Sequence, residues 1–251
     1  LLGWGIKVLN TYLYYVQQLP FSVVQGLSVT HIEMLLMYVF IALATLFFLF
    51  RQVKYMQWSL LALLLFTSGW AVAKYRHLQY REICIYQLKN ATAIELVKGY
   101  NAVVLADSAG MEQFAGTPIT TPGRPPINKR QYLPLQPENP LLTTQAPTLF
   151  AQNLFLQPPF LQFFNQKILL LTDSANYCPQ PTAQKIALTL GILTQNCKAP
   201  LEQLQYCFSF DTLVIDGSNK GWLARKWAAQ ADSLHIPVYS TYDKGAFVRK
   251  W

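Results

Sequence analysis

The chain has 251 residues, 52% of them hydrophobic and 13% charged, with a formal net charge of +8. Its four cysteines, Cys84, Cys178, Cys197 and Cys207, form no C-x-x-C pair, which argues against the closely spaced metal and redox motifs. Leu1, Leu2, Gly3 and Trp4 lack the basic start and small-residue cleavage site of a signal peptide, so the sequence reads as the C-terminal part of a longer polypeptide.

Trp4, Val8, Tyr12, Tyr15 and Leu19 recur at helical spacing with one charge, Lys7, between them. This is the pattern of an amphipathic segment lying in a membrane interface and ended by Pro20; the alternative is a third, weakly apolar spanning helix. Thr30 and Glu33 then form a capping box. Two charge-free apolar runs follow, 34–50 and 56–73, separated by a short connector carrying Arg51 and Lys54. At a rise of about 1.5 Å per residue, each crosses most of a hydrocarbon core about 30 Å thick. Lipid offers no partner to an unpaired amide, so both runs are expected as helices, and the short connector makes them an antiparallel hairpin over residues 31–76. Ser68 and Gly69 would permit close packing against another helix. Arg51 and Lys54 mark one end of the hairpin and Lys74, Arg76 and Arg81 the other, so charge leaves its orientation undecided.

The remainder, residues 77–251, is long enough for one soluble domain with its own core. It opens with three short strands, 83–86, 93–97 and 102–106, joined by tight turns as a meander. Residues 117–159 hold ten of the fifteen prolines and read as a long irregular insertion with a strand near 131–135. Apolar runs at 160–164 and 167–172 form a hairpin. The pattern then alternates: helix 181–190, strand 192–194, helix 200–206, strand 212–216, helix 222–234, strand 237–241 and strand 245–248. Strands first, then strands alternating with helices, indicate a layered α/β domain.

The closing stretch carries a resemblance. Leu213, Val214, Ile215 and Asp216, then Gly217, Ser218 and Asn219, a helix, His235 to Thr241 with Pro237, Val238 and Tyr239, and finally Lys244, Gly245, Ala246 and Phe247 resemble the end of the ComEC family, the inner-membrane channels for DNA uptake in natural transformation. Leu19, Pro20, Phe21 and Ser22, followed by Gly26, Leu27, Ser28, Glu33 and 36–38, are similar to the end of that family's membrane domain. The resemblance implies an α+β membrane protein: an amphipathic segment (1–30), a two-helix transmembrane hairpin (31–76), and a shortened metallo-β-lactamase-like αββα domain (77–251). It implies a multi-pass inner-membrane location, with the soluble domain on the outer, periplasmic face. The implied partners are single-stranded DNA, membrane lipids, the rest of the channel domain and other DNA-uptake machinery.

The departures from that family bear on chemistry. Lactamase-type hydrolases hold metals through H-x-H-x-D-H and further His and Asp ligands, because neutral imidazoles must converge while a position stays open for water. This chain has three histidines, His31, His77 and His235, and no H-x-H. The segments standing where the family's metal-binding loops fall are 87–92, 195–198 and 220–222, and all lack good ligands. The domain therefore reads as degenerate, with no cofactor and no catalytic residue expected. The turn Asp216-Gly217-Ser218-Asn219 is the best-preserved match and is expected to shape a strand-to-helix corner.

Two other readings compete. Asp107, Asp173 and Asp216 each end an expected strand, where sites of layered α/β folds gather, and would be the acids of a rebuilt metal-dependent nuclease; the plainer expectation is that they begin turns or cap helices. Ser108 and Ser218 lack a nearby histidine base. The third reading is a membrane-tethered binding module unrelated to DNA. The basic balance suits anionic lipid, solubility or nucleic acid. For nucleic acid the candidate contacts are Lys74, Arg76, Arg81, Lys220, Arg225, Lys226, Arg249 and Lys250, with Trp222, Tyr239 and Tyr242 for stacking; the plainer alternative turns Trp222 and Trp227 into the core.

Overall fold

The computed structural model describes residues 6–7, 10–12, 14–15, 31–115, 124–135, 150, 153–157, 159–172, 185–198 and 200–251. It separates into two compact units, Leu1–Tyr75 and Arg76–Trp251. The capping box at Thr30 and most of the opening amphipathic segment fall outside the described residues.

The first unit holds two long helices, α1 (His31–Phe50) and α2 (Val53–Gln79), the latter running on into the second unit. Both are long and apolar enough to cross a membrane by length and composition. No described residue of α1 is buried, and α2 buries only Ser59 and Ala62. Between them Arg51 takes a positive φ of 51° and its N–H bonds to Phe47 O at 2.7 Å, a left-handed C-terminal stop. Helical hydroxyls are satisfied internally: Thr45 donates to Ile41 O, Thr67 to Leu63 O and Ser68 to Leu65 O. That arrangement gives these hydroxyls partners within their own helices. The face carrying Ser68 and Gly69 stays open, since a Cβ built on Gly69 meets nothing within 4 Å.

The second unit is two sheets with helices outside. The strands are β1 (Arg81–Ile85), β2 (Ala93–Lys98), β3 (Asn101–Ala106), β4 (Lys129–Pro134), β5 (Leu154–Gln157), β6 (Phe160–Phe163), β7 (Gln166–Leu171), β8 (Ile186–Leu193), β9 (Phe208–Ile215), β10 (Val238–Ser240) and β11 (Phe247–Lys250). The helices are α3 (Ser108–Ala115), α4 (Leu201–Cys207), α5 (Gly221–Ser233) and α6 (Thr241–Lys244). One sheet runs β11-β1-β2-β3-β4 and the other β10-β9-β8-β7-β6-β5. The expected meander is present: β1, β2 and β3 pair antiparallel, and β4 from the proline-rich insertion joins β3 in parallel.

The layers follow from which face of each strand is apolar. Ile83, Ile85, Ile94, Leu96, Val103 and Leu105 meet Leu161, Phe163, Ile168, Leu170, Leu190 and Ile192 between the sheets. Leu169, Leu171, Leu193, Leu213 and Ile215 on the far face of the second sheet are covered by Leu201 and Leu204 of α4 and Ala224, Trp227 and Ala231 of α5. Cys84, Tyr86, Val104 and Ala106 on the far face of the first sheet lie under Phe114 of α3. Each side chain so enclosed contributes about 1.5–3 kcal/mol relative to exposure.

One sequence expectation is corrected. Where a helix over 181–190 was expected, residues 186–193 form the single strand β8, with 181–184 outside the described residues. β8 pairs in parallel with both β7 and β9. Only 190–193 of β8 is buried throughout; Ile186 and Ala187 are exposed, and so short a mixed run has no period that separates strand from helix. Of the cysteines, Cys84, Cys197 and Cys207 are buried reduced thiols, while Cys178 lies outside the described residues.

The outer face of the first sheet also buries charge. Glu82 and Glu95 are fully enclosed, and the Arg124 side chain between them is 4% exposed. Arg124 Nη2 lies 2.6 Å from Glu95 Oε2, Nη1 donates to the Tyr86 hydroxyl at 3.1 Å, and Nε lies 3.6 Å from Glu82 Oε1. Arg130 Nε approaches Glu95 Oε1 at 3.3 Å, and the Tyr86 and Tyr80 hydroxyls donate to Glu95 and Glu82. Burial opposes the charge on Arg124, but Glu95 and the hydrogen bonds to Tyr86 and Glu95 outweigh it and raise its pKa. Replacing Arg124 with Met should destabilise the second unit by about 3–5 kcal/mol, because two enclosed carboxylates lose their shared cation. Adding Glu82→Gln and Glu95→Gln should recover part of that loss in denaturant unfolding of the chain. A loss below about 1 kcal/mol for the single substitution would contradict this reading of the cluster.

Candidate functional site

β8 and β9 end side by side, Leu193 opposite Ile215, so the loops that follow them leave the sheet together. The β9–α5 turn is Asp216-Gly217-Ser218-Asn219, and its side chains fold back on the turn. Asp216 Oδ1 accepts from Ser218 N at 3.1 Å, Ser218 Oγ at 2.5 Å and Asn219 Nδ2 at 2.9 Å. Asn219 Nδ2 also donates to Leu193 O at 2.7 Å.

The same turn holds the loop after β8. Gln195 N–H donates to Ser218 Oγ at 2.7 Å and Asn196 N–H to Asn219 Oδ1 at 2.8 Å, while Asn196 Oδ1 accepts from Lys220 N–H at 2.9 Å. Gln195 and Asn196 adopt left-handed φ values of 52° and 57°, which aim successive N–H groups at the turn. It also touches the β1–β2 turn of the other sheet: Asn90 N–H donates to Gly217 O at 3.3 Å, and Thr92 Oγ1 to Asp216 Oδ2 at 2.6 Å. A Cβ on Gly217 would collide with Leu88 O, so only glycine fits against that backbone.

Thr92 is shared between two acids. Its N–H donates to Asp107 Oδ2 at 3.2 Å, while Asp107 Oδ1 accepts from Gly110 N–H at 2.6 Å and so caps α3. Asp107 and Asp216 thus serve a helix cap and a turn; Asp173 lies outside the described residues. Segments 87–92 and 195–198 each bond to the 216–219 turn, and 220–222 bonds to 195–198 through Lys220 N–H and Asn196 Oδ1. None contains histidine. His235 sits exposed after α5 and His77 rests 6.0 Å from the Tyr100 ring. Among the described residues no three His, Cys, Asp or Glu side chains are placed to hold a metal. The donor set here does not fit a lactamase-type metal, since Asp216 spends Oδ1 on three protein donors and Oδ2 on a fourth.

The basic residues fall in separate places. Lys220 and Lys226 border one cleft with Lys198 and Trp222, whereas Arg225 lies outside that lining and its Nε donates to Gly221 O. Arg81 stacks over Phe164 at 3.9 Å. Arg249 pairs with Asp211 at 3.7 Å, and Lys250 lies 4.0 Å from Glu82 on the strand neighbouring Arg81. Lys74 sits 4.9 Å over the Trp70 ring in the first unit, and Arg76 is exposed. Trp227 is 3% exposed, in the core, but Trp222 is 61% exposed. Tyr242 is exposed, and the Tyr239 hydroxyl donates to Lys244 O and Ala246 O.

Sequence reasoning passed over Thr92, Lys198 and the Glu82, Glu95 and Arg124 cluster. A charge inside each of two adjacent apolar strands was the available sign of that cluster; Thr92 gave none, because its role depends on a contact 124 positions away.

Asp216 is 1% exposed, and burial raises its pKa to about 7 despite the Ser218 and Thr92 donors. With Oδ1 occupied, its proton belongs on Oδ2, where it reverses the bond to Thr92. A carboxyl raised in the folded state holds its proton there while the unfolded chain has lost it, so its stabilising contribution is complete below the ordinary value and disappears as pH rises through the raised one. Chain stability should therefore fall between about pH 4 and 7, by at most about 1.4 kcal/mol per pH unit from this group. Asp216→Asn should remove that slope in unfolding curves taken across the range; an identical slope in the variant would refute the assignment.

A family model for the ComEC C-terminal domain matches residues 83–251. No curated protein and no solved structure gives a match. The family match spans more than half of the chain and covers both sheets and the turn that joins them, and it points to a role in competence DNA uptake at the inner membrane. The chain belongs to the ComEC family.

Proposed function

We propose that the chain is the C-terminal segment of an inner-membrane channel protein that takes up single-stranded DNA, with a soluble domain that binds and supports rather than cleaves. Residues 1–30 end the channel domain, 31–76 cross the membrane as a hairpin, and 77–251 form a degenerate metallo-β-lactamase-like domain on the periplasmic face. The length and apolar surface of α1 and α2 support the membrane portion. The order of helix, sheet, sheet and helices supports the lactamase-like reading.

The observation that carries the non-catalytic reading is the turn at Asp216. Segments 87–92 and 195–198 both bond to this turn, and 220–222 bonds to 195–198 through Lys220, so polar groups at the place of a metal are spent on protein partners. Purified chain should carry no stoichiometric zinc or manganese by elemental analysis, and it should not degrade DNA. Stoichiometric metal with chelator-sensitive nuclease activity would overturn the reading in favour of a nuclease built on Asp107, Asp173 and Asp216.

For DNA, exposed cations contact phosphates without reading sequence, which suits a channel that accepts any strand. Lys74, Arg76, Arg81, Lys220, Arg225, Lys226, Arg249 and Lys250 are the proposed set, with Arg249 the weakest member because Asp211 already engages it. Reversing the charge of Lys220, Arg225 and Lys226 should weaken oligonucleotide binding and flatten its dependence on log salt by about 0.7 for each phosphate no longer neutralised. An unchanged slope would remove these three from the interface.

A further inference from the structure

We propose that the cleft at the N-terminus of α5 is a binding site for a terminal phosphate of a nucleotide or nucleotide strand, with the base stacked on Trp222. The proposal deepens the single-stranded DNA reading and rests on it for the class of ligand. The cleft has a volume of about 520 Å³. That is the size of a small-molecule site and suits one nucleotide better than a threaded strand.

Its chemistry is one-sided. Lys198, Lys220 and Lys226 line it with Asn196, Gln230 and Trp222, and no acidic residue is among the lining residues. Neither Lys220 nor Lys226 pairs with a carboxylate among the described residues. Lys220 is the N-cap residue and Lys226 lies one turn further along a helix of 13 residues that has no side-chain cap and no acid in its first turn. A helix start carries partial positive charge and unpaired N–H groups, so cations placed there raise the free energy of the empty site. An anion converts that repulsion into binding. A terminal phosphate, with a charge of about −1.5 to −2 near neutral pH, matches this field better than the single charge of a strand-internal diester.

The wall is held in place by the motif turn. Lys220 N–H is bound to Asn196 Oδ1, and Asn196 N–H to Asn219 Oδ1, so the loop carrying Asn196 and the start of α5 are held to each other. Both tryptophans of α5 border the cleft, but Trp227 is enclosed with the core at 3% exposure, whereas Trp222 is 61% exposed and leaves its indole open for stacking. An aromatic face beside a phosphate site is the arrangement on which a base stacks.

The test is calorimetric titration of the full chain in detergent with thymidine monophosphate, thymidine, inorganic phosphate and glycerol phosphate. The monophosphate should bind at least about tenfold more tightly than each of the other three, because only it offers both charge and a base. Lys220→Gln and Lys226→Gln should each weaken it several-fold, and Trp222→Ala should reduce it to the level of inorganic phosphate, all with melting temperatures unchanged. Equal binding of thymidine and its monophosphate would overturn the proposal, as would equal binding of glycerol phosphate, which would mark a lipid-headgroup site. If the monophosphate fails while long single strands without a terminal phosphate still bind, this site is refuted and the DNA reading stands. If the monophosphate binds as expected and long strands do not, the site stands and the uptake reading loses its support.

Discussion

The hydrogen bond from Thr92 to Asp216 ties the two sheets together at their loop-bearing end. Thr92 belongs to the turn that enters β2 in one sheet, and Asp216 ends β9 in the other. The other carboxylate oxygen of Asp216 is the acceptor around which the Ser218 and Asn219 side chains fold, and those two side chains in turn anchor the two N–H groups of the loop after β8. The cleft beside α5 depends on it at one remove, since Asn196 positions both the loop and Lys220. Burial makes the arrangement possible: a carboxyl so enclosed can act as a fixed multi-acceptor only when the local chain supplies enough donors.

This end of the domain is a meeting place of loops. Layered α/β folds gather their sites at strand ends because loops from different strands converge there. Here the loops still converge, but short polar side chains fill the space between them. Asp107 and Asp216 are linked through Thr92, yet one caps a helix and the other closes a turn.

Much of this was legible in the sequence, for local reasons. The two apolar runs declared themselves by length, and the β1–β3 meander by turn residues spaced between β-branched runs. The Asp216 turn was visible as a motif whose residue types favour self-bonding. What failed was period: Ile186 to Leu190 is short and mixed, with Ile186 and Ala187 exposed and Leu188 and Leu190 buried, so it carries too little repeat to separate strand from helix. What stayed hidden was anything set by distant contact. Thr92, Lys198 and Arg124 are ordinary in their own windows and matter through partners in other elements. The split between Trp222 and Trp227 is of the same kind, since one helix presents one indole to each environment.

Arg124 has a consequence for the proline-rich stretch that bears it. That stretch looks like a loop free to lengthen, shorten or disappear between relatives, as surface connections usually are. Yet it delivers both Arg124 and Arg130 to Glu82 and Glu95 beneath the outer surface of the first sheet, and it supplies the strand that completes that sheet's edge. A trimmed version would strand two acids in a water-poor interior and expose the flank of β3. The insertion is therefore a strut, and the two glutamates are the socket that fixes where it must return.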